Sequence, residues 1–394
     1  MIKEPLWTKD FLKIWFVNFI IVAWTFMHVA VLPFYIKHLG GTEMTVGLAA
    51  GGYYTACIFM RPLAGWFLDN KSRSALLKGC IIGLALITVL FMVAPILSLA
   101  VLLRLVCGFM FSGASTASNT NACDIINKNR FGEGMAFLGL GNTFASALGP
   151  ALGLFLIAST GFNITFLATA VLVMTAFIAA KTITYKKIEQ NDDTLKRPPV
   201  KLSSLFNSAA FPASALSICN AAIFGGINIF IALYGQFSGL GSGGFYFMLI
   251  ALGTGSTRLF SGRLTDKKGE LPNLIFGTGS LLTSIILLLI VSSSCFYLSG
   301  LFFGIGFGLL NPALQTMAVR TVDPEKRGSA SSTYLSSVDI GSGIGGLAAG
   351  WLVTMWGYRV MFGAFIIFII ALWLIYLLWA SKTPAAFKRR APGI

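Results

Sequence analysis

One carboxylate in this chain stands in the middle of an apolar stretch. Of the fourteen acidic residues, thirteen fall in termini, loops or helix ends, and Asp339 does not. It follows Gly328 by about eleven residues, roughly 16 Å along a helix, about half of a 30 Å hydrocarbon core. A charged Asp at that depth costs about 3 kcal/mol to insert, so it must face a bundle interior or a water-filled cavity. Such a group is held toward its neutral form, which suits a carrier of protons or a partner for a cationic substrate. The plainer alternative is a polar packing residue bonded to Ser336, Ser337 or a facing helix.

Arg104 is the second deep charge, about nine residues beyond Pro95 and roughly 14 Å along its helix. An arginine cannot readily discharge, so it must be paired or hydrated. Backbone carbonyls or polar residues of the first helix would satisfy it in a purely structural role. His28, in the outer half of the first apolar stretch, could titrate near physiological pH, although a lone helical histidine is more often a hydrogen-bonded packing residue. Asn18, Asn142, Asn220, Asn228, Asn311 and Gln315 are the amides available to line a cavity. With the 34 phenylalanines of the chain, such a lining would suit a flat or amphipathic organic substrate. So little cavity charge argues against a strongly ionic one such as a sugar phosphate.

These residues need elements that hold them inside a membrane. The chain is 56% hydrophobic and only 11% charged, with a mean hydropathy of +0.80, too little charge to cover a soluble surface. Apolar stretches long enough to cross a bilayer as helices recur twelve times, near 12–36, 45–68, 76–94, 97–119, 133–158, 162–181, 208–236, 242–264, 271–293, 295–319, 329–355 and 358–380. The net charge of +15 is carried by the N-terminus, by every second loop and by the C-terminal tail. The alternate loops hold only Lys37 and Arg359. That is the positive-inside pattern, and it puts both termini in the cytoplasm. It is not a nucleic-acid footprint, because the basic residues are scattered along one membrane face, where they can meet anionic lipid headgroups. The basic start runs straight into a full-length helix, as in an uncleaved anchor. The six cysteines form no Cys-x-x-Cys or Cys/His cluster, so no metal site or disulfide framework is expected.

The chain repeats itself. Arg-Pro-Leu-Ala-Gly-Trp-Phe-Leu-Asp at 61–69 returns as Arg-Leu-Phe-Ser-Gly-Arg-Leu-Thr-Asp at 258–266, an offset of 197 residues. The same shift places Arg130 on Arg327, Gly149 on Gly346 and Gly153 on Gly350. The single long polar loop, 182–206, contains Pro-Pro and reads as a cytoplasmic linker. The expected organisation is therefore a six-helix bundle over 1–181, the linker, and a second six-helix bundle over 207–394. Such duplicated units are a recurrent transporter architecture with the substrate site near mid-membrane.

Gly65 to Arg73 (GWFLDNKSR) resembles the hairpin signature between helices 2 and 3 of the major facilitator superfamily, with Asn70 and Ser72 replacing its usual Arg and Gly. Arg104 and Gly108 resemble the fourth-helix Arg-x-x-x-Gly motif. Gly139, Gly141, Gly149, Pro150 and Gly153 resemble the fifth-helix glycine-proline motif of the twelve-helix drug:proton antiporters, although Leu154 stands where a second Gly is common. The resemblance covers essentially the whole chain. It implies an all-α membrane protein of two pseudo-symmetric six-helix bundles. It also implies a role for Arg104 in proton transfer or cavity order, and gating by Asp69, with Arg73 and Arg130 in the same network and Asp266 as its counterpart. The glycines of the fifth and eleventh helices would form a close-packed seam between halves that permits rocking, and Pro150 can kink its helix.

The expected activity is proton-driven export of small organic compounds across a bacterial inner membrane, by a monomer, with the proton gradient and no cofactor as energy source. A nutrient importer or facilitator of the same fold is the first rival, and a non-transporting membrane receptor a more distant one. No cluster suggests metal or nucleophilic chemistry, so an enzyme is not expected.

Overall fold

The computed structural model describes residues 6–93, 95–127, 130–185, 207–320, 322 and 327–382. Every regular element among them is helical, as a backbone in hydrocarbon requires when no water can satisfy its N–H and C=O groups. The first four are α1 (Lys9–His38), α2 (Glu43–Asn70), α3 (Arg73–Val93) and α4 (Leu97–Ile125). One run, Phe131–Lys181, is broken at Gly161 into α5 (131–160) and α6 (162–181). A short 3-10 turn, Ser208–Ala210, then leads into α7 (Phe211–Phe237), α8 (Gly243–Lys268), α9 (Leu271–Leu289) and α10 (Ser293–Val319). The run Arg327–Ala364 is broken at Gly357 and is followed, after a turn at Phe365, by Ile366–Leu378; these give α11 (327–356) and α12 (358–364 with 366–378).

The two breaks are one device used twice. Gly161 has φ 78°, ψ 179° and Gly357 has φ 80°, ψ 174°, conformations that L-residues with a side chain rarely adopt. A single glycine there ends one helix and starts the next. At the other end, the Thr8 hydroxyl accepts from Phe11 N–H at 3.1 Å and caps α1.

The chain divides into two compact units, residues 1–41 with 52–200 and residues 42–51 with 201–394. The first turns of α2 thus group with the second unit, where a β-carbon on Gly47 would lie 3.0 Å from Gly350 Cα. In the first unit α1 packs along α5 and α3 along α4; in the second α7 packs along α11, and α8 and α9 along α10.

Matching contacts fix the register of the repeat. Tyr35 OH donates to Phe91 O at 2.6 Å, and Tyr234 OH donates to Leu288 O at 3.2 Å. Cys57 Sγ donates to Gly108 O at 3.3 Å, and Thr254 Oγ1 donates to Gly304 O at 3.1 Å. Gly108 faces the Tyr53 backbone as Gly304 faces that of Ile250, and Gly149 faces Ala23 as Gly345 faces Ala222. The offset is therefore 197 residues through α2 and α3 but 196 from α4 onward. Gly149 corresponds to Gly345 rather than to Gly346. The reason is local: α3 runs two residues past Phe91, whereas α9 ends one residue past Leu288.

The glycines of α5 pack inside the first unit. Gly141 makes room for the Trp15 indole, Gly149 for Ala23 O, and Gly153 for Val31 and Met27, all against α1. Gly341 and Gly345 do the same for α11 against Ile218, Ala221 and Ala222 of α7. The close packing they provide joins helices within one unit, and at Gly149, Gly341 and Gly345 the bare Cα faces a neighbour's backbone at a distance that admits no β-carbon.

Gly149→Ala is expected to destabilise the purified protein by about 2 kcal/mol, since its β-carbon meets a carbonyl that only a helix shift can move. Gly79→Ala, where a β-carbon meets nothing within 4 Å, should be neutral or stabilise by up to about 1 kcal/mol. Thermal melting of the two variants beside the parent checks both signs.

Candidate functional site

In the first unit, polar contacts join α2 to α4 and α1 to α5. Arg104 is buried, at 5% exposure, one turn before Gly108. Gly108 lets α4 approach the Tyr53 backbone, which brings the Arg104 guanidinium carbon 4.0 Å from the centre of the Tyr53 ring. A cation on a ring face in a water-poor site is a favourable contact. Beyond it along α4, Cys57 Sγ donates to Gly108 O at 3.3 Å and Ser112 Oγ donates to Cys57 O at 3.0 Å, stitching α2 to α4. Asn18 Nδ2 donates to Asn142 Oδ1 at 2.5 Å, bridging α1 and α5.

His28 is held differently. Its Nδ1–H donates to Trp24 O at 2.9 Å, and its ring lies 4.0 Å from Trp24 and 6.0 Å from Phe166. Trp24 in turn donates through Nε1 to Thr88 Oγ1 at 3.1 Å. The histidine thus belongs to an aromatic layer that ties α1 to α3 and α6, and only Nε2 is left to exchange a proton.

In the second unit Asp339 is buried at 6% exposure on α11, among Ser336, Ser337 and Ser342. Gly341 and Gly345 seat this part of α11 on α7, and Ser342 packs its backbone on Gly225. One turn before Asp339, Tyr334 OH donates to the Asn311 carbonyl at 3.0 Å and also to Asn311 Oδ1. Ser337 Oγ donates to Tyr334 O at 2.6 Å. Asn228 is buried and spends its Nδ2 on Phe224 O at 2.8 Å, beside a stacked pair of Phe224 and Phe307 4.1 Å apart. Gln315 is exposed. Of the six amides available to line a cavity, Asn18, Asn142, Asn228 and Asn311 therefore satisfy neighbours inside their own unit, and Asn220 is buried.

The charged helix ends form ion pairs. Arg73, at the start of α3, pairs with Asp124 near the end of α4. Arg130 binds Glu133 through Nε and Nη2, at 2.9 and 2.8 Å, across the start of α5. The side chains of Asp69 and Asp266 lie outside the described residues.

Glu270 escapes the sequence reading because it stands at a helix end, where acidic residues usually meet solvent. It is only 1% exposed. Arg320 Nη1 donates to its Oε2 at 3.0 Å, and Tyr376 OH to its Oε1 at 3.4 Å. The repeat held the signal. Glu270 stands one repeat on from Arg73 and Arg320 one repeat on from Asp124, so the same position carries the same ion pair with its polarity reversed. Among the described residues no group of three or more His, Cys, Asp or Glu is placed to hold a metal ion.

Glu270→Gln strands Arg320 beside a neutral amide and is expected to cost about 3 kcal/mol. Asp124→Asn breaks a pair whose side chains are 21% and 24% exposed and should cost about 1 kcal/mol or less. Melting temperatures in low and high salt check the ranking, with the larger loss insensitive to salt.

Comparison with known proteins gives a consistent result. The family model described as Major Facilitator Superfamily matches residues 14–294 and 274–393. The MFS-type transporter YhhS of Escherichia coli strain K12 is 25% identical over 343 residues, covering 84% of this chain and 83% of its own. The multidrug resistance protein MdtG of Serratia proteamaculans strain 568 is 25% identical over 379 residues, 90% of each chain. Among solved structures, a bacterial homologue of the human lysosomal transporter Spinster, in an inward-facing and occupied conformation, superposes with a TM-score of 0.77 at 14% identity, covering 98% of this chain and all of that one.

Proposed function

The chain belongs to the major facilitator superfamily and is a multi-pass membrane transporter, and on that premise we propose that it exports small organic, amphipathic compounds in exchange for protons by alternating access. The observation that carries the reading is Asp339, a carboxyl buried in the middle of an apolar helix. A charge at that depth is costly, so a carboxyl there needs water or a cationic partner offered from one side of the membrane in order to carry it. Loading a proton from outside and releasing it inside would couple each cycle to the proton gradient. One charge moving through 100 mV supplies about 2.3 kcal/mol, so one or two protons support substantial accumulation outside.

In this reading Arg104 shapes the polarity of the cavity, and Asp69, with Arg73, Arg130 and Asp266, governs closure on the cytoplasmic side. The alternation of basic loops supports cytoplasmic termini, and the bacterial relatives support an inner-membrane location. The two six-helix halves, joined by residues 182–206, would rock as bodies in a monomer that needs no cofactor. The relative named for multidrug resistance favours export of varied compounds over uptake of a single nutrient.

Inverted membrane vesicles energised to be acid inside, with a pH-sensitive dye, test the proposal. A panel of lipophilic cations, neutral amphiphiles and organic anions should include compounds that release protons from wild-type vesicles. Asp339→Asn should lower that release at least tenfold while leaving the amount of folded protein unchanged. Unchanged proton release in the variant would reject Asp339 as the carrier. Gradient-independent movement of the compound in wild-type vesicles would replace the exporter by a facilitator.

A further inference from the structure

Arg104 is a buried cation set on an aromatic platform, and no carboxylate pairs with it among the described residues. Its guanidinium carbon lies over the Tyr53 ring, 4.0 Å from the ring centre, it is 5% exposed, and its Nη1 has no hydrogen-bond partner among the described residues. The polar groups interacting with it are the Cys107 thiol on the same helix and, electrostatically, the His28 imidazole of α1. Asp10 pairs with Lys13, Asp124 with Arg73, Glu133 with Arg130, and Glu270 with Arg320, so these carboxylates are engaged elsewhere. A buried donor left unmade costs about 1–3 kcal/mol, and more when it is charged.

The duplication works as an internal control on whether helix packing needs this residue. In the second unit Gly304 repeats the backbone contact of Gly108, and Thr254 repeats the hydrogen bond of Cys57. The position of Arg104 is occupied there by Gly300 and that of Tyr53 by Ile250. There the ring of Tyr246 packs against Gly300, so the same α-helical seam closes with no cation. The scaffold does not require a charge at this point.

From this we infer that Arg104, stacked on Tyr53, is an anchor for the anionic group of the transported compound, which would be an organic monoanion: a carboxylate or similar oxyanion on an otherwise apolar body. A guanidinium is planar, always charged and presents parallel N–H groups that match an oxyanion. Stacking on the ring fixes the plane of that fork before the ligand arrives, so little ordering remains to be done on binding. The apolar surroundings suit the rest of such a molecule, and one cation selects one negative charge rather than several. This rests on the exporter reading for the word transported, while the anion site itself stands on the geometry of the first unit alone.

The test uses full-length protein in nanodiscs and equilibrium binding of benzoate, 1-naphthoate and 4-biphenylcarboxylate, each beside its primary amide. At least one carboxylate should bind ten times more tightly than its amide. That preference should fall to twofold or less in Arg104→Gln and be partly kept in Arg104→Lys. Tyr53→Phe, which keeps the ring face, should retain it, and Tyr53→Leu should weaken carboxylate binding several-fold while leaving amide binding unchanged. A wild-type protein that binds no carboxylate, or binds acid and amide alike, overturns the proposal. A preference that survives Arg104→Gln overturns it as well. If Arg104→Gln does not fold, the Arg104→Lys and Tyr53→Leu pair decides by the same criterion. Asp339→Asn separates the two readings, because it should lose proton coupling and keep the carboxylate preference.

Discussion

Close approach of helix backbones, permitted where a bare glycine faces a carbonyl, sets where the polar groups of both units can stand. Gly108 against Tyr53 and Gly304 against Ile250 fix α4 on α2 and α10 on α8. Gly149 against Ala23 and Gly345 against Ala222 fix α5 on α1 and α11 on α7. Between apolar helices in lipid there is little hydrophobic force to gain, so van der Waals contact and a few hydrogen bonds must hold them. Once those contacts are made, the side chain one turn away has almost no freedom. Arg104 meets the Tyr53 ring because Gly108 has already brought α4 onto α2, and Asp339 is buried because Gly341 and Gly345 have drawn α11 onto α7.

The duplicated scaffold separates structure from function more cleanly than either unit alone. Features present in both units are what the fold needs. They include a tyrosine hydroxyl on a carbonyl of the third helix of the unit, a thiol or hydroxyl on the glycine carbonyl of the fourth, and a left-handed glycine before the last. Features present once, or present with their sign reversed, are where the units have diverged. The Arg73–Asp124 and Glu270–Arg320 pairs perform one mechanical task with opposite polarity, so the task asks for attraction between two helix ends and is indifferent to which end is positive. Arg104 with Tyr53, the Asn18–Asn142 bridge and Asp339 each belong to one unit only.

Some residues could be placed from the sequence and others could not. Asp339 and Arg104 were legible because a charge inside an apolar run has few tolerable environments. The chain reversals at Gly161 and Gly357 fell between apolar runs separated by a few residues, and the connection had to be short. Glu270 was not legible, because a carboxylate at a helix end is compatible with full exposure or full burial, and only Arg320 and Tyr376, 50 and 106 residues away, decide which. The one-residue change in repeat register was hidden for a related reason. A glycine-rich helix aligns with itself almost as well one residue out of step, and only the facing carbonyls say which glycine is in contact.

The sequence by itself determined that the chain crosses a membrane many times as helices, that it is built from a repeated half, and that very few charges lie deep. Hydropathy, charge and periodicity act along the chain, so the residues in order suffice to read them. The tertiary structure alone decided what those charges meet. His28 is enclosed by Phe166 beside its near neighbour Trp24, the α5 glycines serve α1, Glu270 is neutralised by Arg320, and Arg104 lies over the Tyr53 ring. Apart from the local Trp24–His28 pair, each is a contact between residues tens to hundreds of positions apart. Which faces of two helices meet is set by packing summed over the whole seam, and that sum is not written in any local stretch of sequence.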